Sequence, residues 1–296
     1  MYIALSGGNG LFYDLLIVLS VRLRAHRLLL HHHSFDYVDR DRLVLSLLLL
    51  IAPRDHVHLV LCQDMAKKLR ARYRRELLCI HVSNFCFFPA GSIAAHERSE
   101  LRRIGFLSNI ALDKGIDRFL DLAGRLVGRD DIEFHIAGPF ANEAARTYVE
   151  RRLAELPNVT CHGPLYGEQK QKFYDFIDLF VFLSRYSNEA EPLVVYEAMS
   201  AGLPVVTTAR GCLCEMVGPD GAIVIDRNGD DIETVVRRIT EWKDAPHSYA
   251  KACAASARHL GWLEEARGEH LDALLAAFGP GLATPSGQAR PAQRAI

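Results

Sequence analysis

No stretch of this chain is apolar for long enough to cross a bilayer. Residues 43–52 are rich in leucine, but Pro53 ends the run well short of the roughly 18 residues a spanning helix needs. Residues 15–23 are also apolar. Asp14 flanks them, Arg22 interrupts them, and no small-residue cleavage site follows, so they are not a signal peptide. Both runs read as buried helices, and contact with a membrane surface stays open. An excess of charge is missing too. Lys and Arg number 35 against 36 Asp and Glu, which leaves −1 and a pI near 6.9. Nothing global attracts nucleic acid or an anionic surface. The seven cysteines are scattered, with only Cys212 and Cys214 close together. That spacing is not a metal pattern, and an odd count argues against a disulfide framework. Reduced thiols in a cytoplasmic protein are expected. No repeat of solenoid length is present.

What the chain does have is alternation. Its 296 residues, 49% hydrophobic, leave room for two domains. Strand-like runs at 2–5, 28–32, 57–61 and 78–82 are separated by helical patterns at 12–24, 40–51 and 65–74. Residues 84–99 hold Pro89, Gly91 and several polar side chains and read as a connection. Strands follow at 104–107, 132–137, 159–161, 179–183, 205–207 and 222–225, with helices at 115–127, 143–153, 168–177, 231–243, 249–259 and 262–278. This order predicts an α/β fold of parallel sheets covered by helices. Residues 280–296, rich in Pro, Ala and Gln, read as a disordered tail.

The most informative stretch runs from Ser184 to Val206: a strand end, a polar loop, a helix and another strand. Glu191 can cap the helix, and Pro192 suits its first turn. Gly202 and Pro204 end it. A helix start beyond the carboxyl end of a strand is an anion site, here offering the N–H groups of Leu193 and Val194. Glu197, four residues after Leu193, projects on the same face and can accept hydrogen bonds from sugar hydroxyls.

Glu189 and Glu197 are separated by seven residues, and Glu197 opens a Glu-Ala-Met-x-Ala-Gly-x-Pro-Val-Val run. This segment resembles the retaining glycosyltransferases of the GT-B fold, of the family 4 (group 1) type. The resemblance covers about 104–224 almost completely and the first half weakly. It implies two Rossmann-like domains facing across a cleft: an acceptor-side domain at 1–98, short and incomplete at its front, and a donor-binding domain at 99–260. Residues 261–279 would then cross back to the first domain. An incomplete first domain would leave a sheet edge and apolar helices exposed and invite self-association.

Site residues follow from the same resemblance. A lysine at a helix start is ordinarily solvated, but Lys114, in a Lys-Gly pair after a strand, takes the place that grips the donor diphosphate. An arginine commonly stands five residues earlier, where this chain has Asn109. Gly138 lets backbone approach a ligand, and Leu165 lies against the nucleotide base. Gly211 belongs to a donor loop in which Cys212 and Cys214 replace a glycine and a proline. Glu197 holds the ribose, and Glu189 the sugar hydroxyls. Of three adjacent histidines, His31 and His33 share a strand face and His32 does not. That is a weak metal signal, and His33, with His31 as second choice, matches the histidine that faces the donor sugar. Gly7-Gly8-Asn9-Gly10 resembles a glycine loop that contacts donor or acceptor.

The implied function is transfer of a sugar from a nucleoside-diphosphate sugar, with retention, to a glycan, lipid-linked or small-molecule acceptor. No cofactor is implied, no Asp-x-Asp metal motif is evident, and this scheme requires no divalent ion. The implied location is the cytoplasm or the inner membrane surface. Two alternatives stand beside it: a non-catalytic or impaired nucleotide-sugar-binding protein, and a GT-B sugar-nucleotide epimerase.

Overall fold

The computed structural model describes residues 1–23, 28–89 and 98–279. Two parallel sheets result. The first half carries β1 (Tyr2–Leu5), α1 (Leu11–Leu23), β2 (Leu29–His32), α2 (Asp36–Asp39), α3 (Leu43–Ile51), β3 (Val57–Val60), α4 (Gln63–Tyr73) and β4 (Cys79–His81). Its strands lie in chain order, β1-β2-β3-β4. The second half carries β5 (Arg103–Leu107), α5 (Ile116–Arg125), β6 (Glu133–Ala137), α6 (Glu143–Leu153), β7 (Val159–Cys161), α7 (Gly167–Phe176) and β8 (Leu179–Phe182). It continues with α8 (Leu193–Ser200), β9 (Val205–Thr208), α9 (Leu213–Val217), β10 (Ala222–Ile225), α10 (Ile232–Asp244) and α11 (Pro246–Phe278).

The second sheet has the order β10-β9-β8-β5-β6-β7. β8 and β9 are buried at every position, as strands covered by helices on both faces must be. Strand order reverses between β5 and β8. The loops leaving those two strands at their carboxyl ends therefore diverge and leave a crevice.

Two sequence expectations are corrected. Helices were expected at 249–259 and 262–278, but α11 is one helix of 33 residues running through Gly261. A helical glycine costs about 1 kcal/mol. Burial of Tyr249 and Leu260 before it and Ala277 after it outweighs that cost. The cysteines are not all free: Cys62, at the start of α4, is disulfide-bonded to Cys212, ahead of α9. An odd count left room for one pair, and only the tertiary fold brings positions 150 residues apart within a Cα–Cα distance of 5.8 Å. The expected tail at 280–296 lies outside the described residues.

α11 is rooted in the second half. Its Tyr249 hydroxyl donates to the Asp178 carbonyl at 2.6 Å, and Ser256 donates to the Leu203 carbonyl at 2.8 Å. Its far end lies on the first sheet, where Leu274 and Ala277 pack with Leu29, Val57, Leu59 and Val82. The apolar runs expected as buried helices, α1 and α3, are buried on one face only: Phe12, Leu16, Leu19, Leu43, Leu47 and Leu50 are exposed. No helix among the described residues is long and apolar enough to cross a membrane.

Candidate functional site

Lys114 follows β5 and Glu189 follows β8, so the reversal of strand order sets them side by side. The Lys114 ammonium donates to the Glu189 carboxylate at 2.8 Å, and Ser184 donates to the same oxygen at 2.6 Å. Glu189 is buried. Lys114 also stands 4.5 Å from the centre of the Tyr186 ring, a cation–π contact that fixes its direction.

Both halves wall the cleft beside this pair. A cavity of 390 Å³ is lined by Gly7, His33 and Asn84 from the first half and by Tyr186, Glu189 and Pro192 from the second. His33 lies just past β2 and is exposed; partial burial lowers its basicity. His31 is buried, hydrogen-bonded to the Tyr2 hydroxyl at 2.7 Å. Of the two histidines on that face, His33 therefore reaches the cleft. His32 points the other way and meets His58 at 2.8 Å.

Leu193 and Val194 form the first turn of α8, and Glu197 lies one turn on. Leu193 and Glu197 share the wall of an adjoining 480 Å³ cavity with Lys170, Tyr174 and Phe88. The Glu197 carboxylate accepts from Lys170 at 2.5 Å and from the Tyr174 hydroxyl at 2.9 Å. This cavity is flanked by Gly167 rather than Leu165, which is half-buried and packs against the core. Asn109 is exposed just beyond β5.

Two glycines are forced by close approach. Gly138 has φ +128°, and a Cβ there would sit 1.8 Å from the Ser108 carbonyl oxygen. Gly211 has φ +57°, and a Cβ there would sit 2.5 Å from the Glu189 carbonyl oxygen. The second contact shows that the loop at Gly211 backs directly onto the segment bearing Glu189. Cys212 N–H donates to the Ala190 carbonyl at 2.8 Å in the same way.

Glu191 departs from its expected role. It does not cap α8, whose N-cap is Pro192. Its carboxylate instead reaches the other half, accepting from Ser83 at 2.6 Å, the Asn84 N–H at 2.6 Å and Tyr196 at 2.5 Å. Burial pushes this carboxyl up to about 7, against the pull of those hydrogen bonds. Among the described residues no group of three His, Cys, Asp or Glu side chains is placed to hold a metal ion. Asp39-Arg40-Asp41 does have Asp-x-Asp spacing, but Asp39 is paired with Arg227 and Asp41 lies 3.6 Å from Arg72.

Residues 93–260 match the family described as Glycosyl transferases group 1. The chain belongs to this family. Over 147 residues it is 29% identical to an uncharacterized glycosyltransferase of Methanocaldococcus jannaschii, a match covering 48% of this chain and 36% of that protein. Among solved structures, TarM superimposes with a TM-score of 0.70 at 18% identity, covering 85% of this chain and 50% of TarM. HepE of Anabaena, solved with UDP-glucose, gives 0.69 at 15% identity, covering 93% of this chain and 78% of HepE. At such identities the likeness is one of fold, the two-sheet GT-B arrangement. The chain spans about a third of the curated relative and half of TarM.

In this member of the group 1 family, the sequence alone does not reveal Lys170 and Tyr174 as partners of Glu197. Their i, i+4 spacing on a helix was a signal that both share a face, but nothing local says which face meets α8. The ties from Ser83 and Asn84 to Glu191 span more than a hundred residues and had no local signal at all.

Proposed function

We propose that this chain transfers a sugar from a nucleoside-diphosphate sugar to an acceptor, with retention at the anomeric carbon. The observation that carries this reading is the Lys114–Glu189 pair at the strand-order reversal, beside the first turn of α8 and open to His33 across the cleft. The two charges satisfy each other at rest. An arriving diphosphate takes over the Lys114 ammonium, together with the Leu193 and Val194 N–H groups. Glu189 is then released to accept hydrogen bonds from donor-sugar hydroxyls. Glu197, held by Lys170 and Tyr174, receives the ribose. His33 faces the sugar from the acceptor side.

Negative charge on the diphosphate grows as the glycosidic bond breaks, so the lysine acts chiefly on the transition state. The scheme uses no metal, and its acceptor is a glycan, a lipid-linked sugar or a small molecule. Such chemistry fits the cytoplasm or the inner membrane face. Calorimetric titration with UDP and UDP-glucose, followed by mass analysis of products formed with candidate acceptors, tests it. Absence of nucleotide binding would overturn it. A second reading, donor binding without transfer, is favoured by Asn109, which leaves one cation fewer at the diphosphate. Tight UDP-sugar binding with no product from any acceptor would select it.

A further inference from the structure

The Cys62–Cys212 bond joins the two halves of the molecule at a point that also touches the donor side of the cleft. Cys62 leads into α4 of the first half, and Cys212 precedes α9 of the second. A second tie runs beside it: the Glu215 carboxylate accepts from the N–H groups of Gln63 at 2.9 Å and Asp64 at 2.8 Å. Both cysteines are buried in the wall of a cavity of 540 Å³. The exposed residues Trp262 and Cys214 line the same cavity, so it communicates with solvent. Its walls are largely apolar, with Leu61, Phe85 and Leu263 among them. Cys62 and Cys212 are themselves 2% and 1% exposed, so a small thiol reaches the bond only when this cavity wall opens locally.

We propose that Cys62–Cys212 is a reversible thiol–disulfide exchange site, whose co-reactant is a small dithiol entering through this cavity. One thiolate of the dithiol attacks a sulfur of the pair and forms a mixed disulfide, releasing the other protein sulfur as a thiolate. The second thiol of the reagent then closes on the first. The reagent leaves as a cyclic disulfide, having given two electrons and two protons to Cys62 and Cys212. Reduction frees the Gly211–Cys212 turn from the first half. That turn hydrogen-bonds to Ala190 and packs on the Glu189 carbonyl, so its release loosens the segment that bears Glu189. The Glu215 tie persists, so the two halves stay associated.

The test does not depend on any donor. Protein treated with oxidised glutathione or with reduced dithiothreitol is alkylated, digested and mapped by mass, and tryptic cutting after Arg210 of the intact protein is timed. Oxidised protein should give a linked Cys62–Cys212 peptide pair that dithiol converts to two alkylated thiols and reoxidation restores. Cutting after Arg210 should be about fivefold faster in the reduced form, because local opening governs it. Cys62→Ser should be cut at the fast rate in both conditions. Should that variant not fold, the dithiol titration of the parent protein decides alone. Free thiols at both positions after oxidation, or a bond made to Cys214 instead, would overturn the site. Equal cutting rates in both forms would overturn its effect on the loop.

Discussion

Lys114 and Glu189 neutralise each other across 2.8 Å, so neither charge is left uncompensated while the cleft holds no donor. Removing the lysine leaves Glu189 buried without its cation and removes the group that meets the departing diphosphate. Lys114→Ala should lower kcat at saturating donor by about 10²–10³, the usual cost of one charge-stabilising donor. Initial rates check this, and an unchanged kcat would dismiss the assignment. Glu197→Gln keeps the size of the side chain but loses the charge that Lys170 and Tyr174 hold in place. UDP binding should weaken by about 1–3 kcal/mol, read by calorimetry, with little change in melting temperature. At this scale spacing singled out Glu189, Glu197 and Lys114, and the structure sets Lys114 against Glu189 and Glu197 in the wall of the adjoining cavity. The sequence was mute where a side chain's partner is fixed only by packing. Glu191 looked like a helix cap from its position alone, and its real partners belong to the other sheet.

Among the elements, β2 and β3 bring buried histidines together. His31 and His32 are held down to about 3, mainly by burial, and His58 is driven well below its usual value for the same reason. These rings are neutral when folded but bind protons near pH 6.5 when unfolded. Their contribution to stability is therefore complete above pH 6.5 and is lost as pH falls from there toward 3. At pH 5 each such ring costs of order 2 kcal/mol. Glu191 acts in the opposite sense, since its raised pKa lets the folded form gain a proton as pH falls through about 7. It is one carboxyl against three imidazoles, so stability should drop on acidification. Urea midpoints measured between pH 7 and 5 check this, and a flat profile would contradict it. His58→Ala should cost about 1–3 kcal/mol by stranding His32, and His32→Leu with His58→Leu should cost less than the two single changes summed. Strand alternation in the sequence put His31 and His33 on one face. That His32 would meet His58 depends on how β2 and β3 lie side by side, which alternation does not specify.

Taken whole, the molecule pairs a four-stranded sheet with a six-stranded one. Most strands could be read within a residue or two from their apolar runs, because parallel strands buried on both faces are mostly apolar, with His31 and His32 of β2 and Thr207 and Thr208 of β9 among the buried polar exceptions. The cross-sheet disulfide and the single α11 were not readable, since each is settled by packing between the halves. The exposed leucines of α1 and α3 form a face that water does not favour. Sedimentation velocity should show mass rising with protein concentration. Leu16→Gln with Leu47→Gln should suppress that rise without lowering the melting temperature. An unchanged parent that is monomeric at every concentration would refute the reading.

α11 also acts as a strut. From Ser256, anchored on the second half, to Phe278, against Tyr2 of the first, it reaches roughly 33 Å at 1.5 Å per residue. A tilt of about 3° at its base carries the far end, and the sheet seated on it, by about 2 Å. The width of the cleft between His33 and Glu189 is thus gauged by the straightness of a helix that touches neither. Two of its turns, at Gly261 and Gly268, have open space around them and no side chain to stiffen them. A bend at either would misalign the cleft from a distance, working against the Cys62–Cys212 bond and the Glu191 and Glu215 hydrogen bonds that also join the halves.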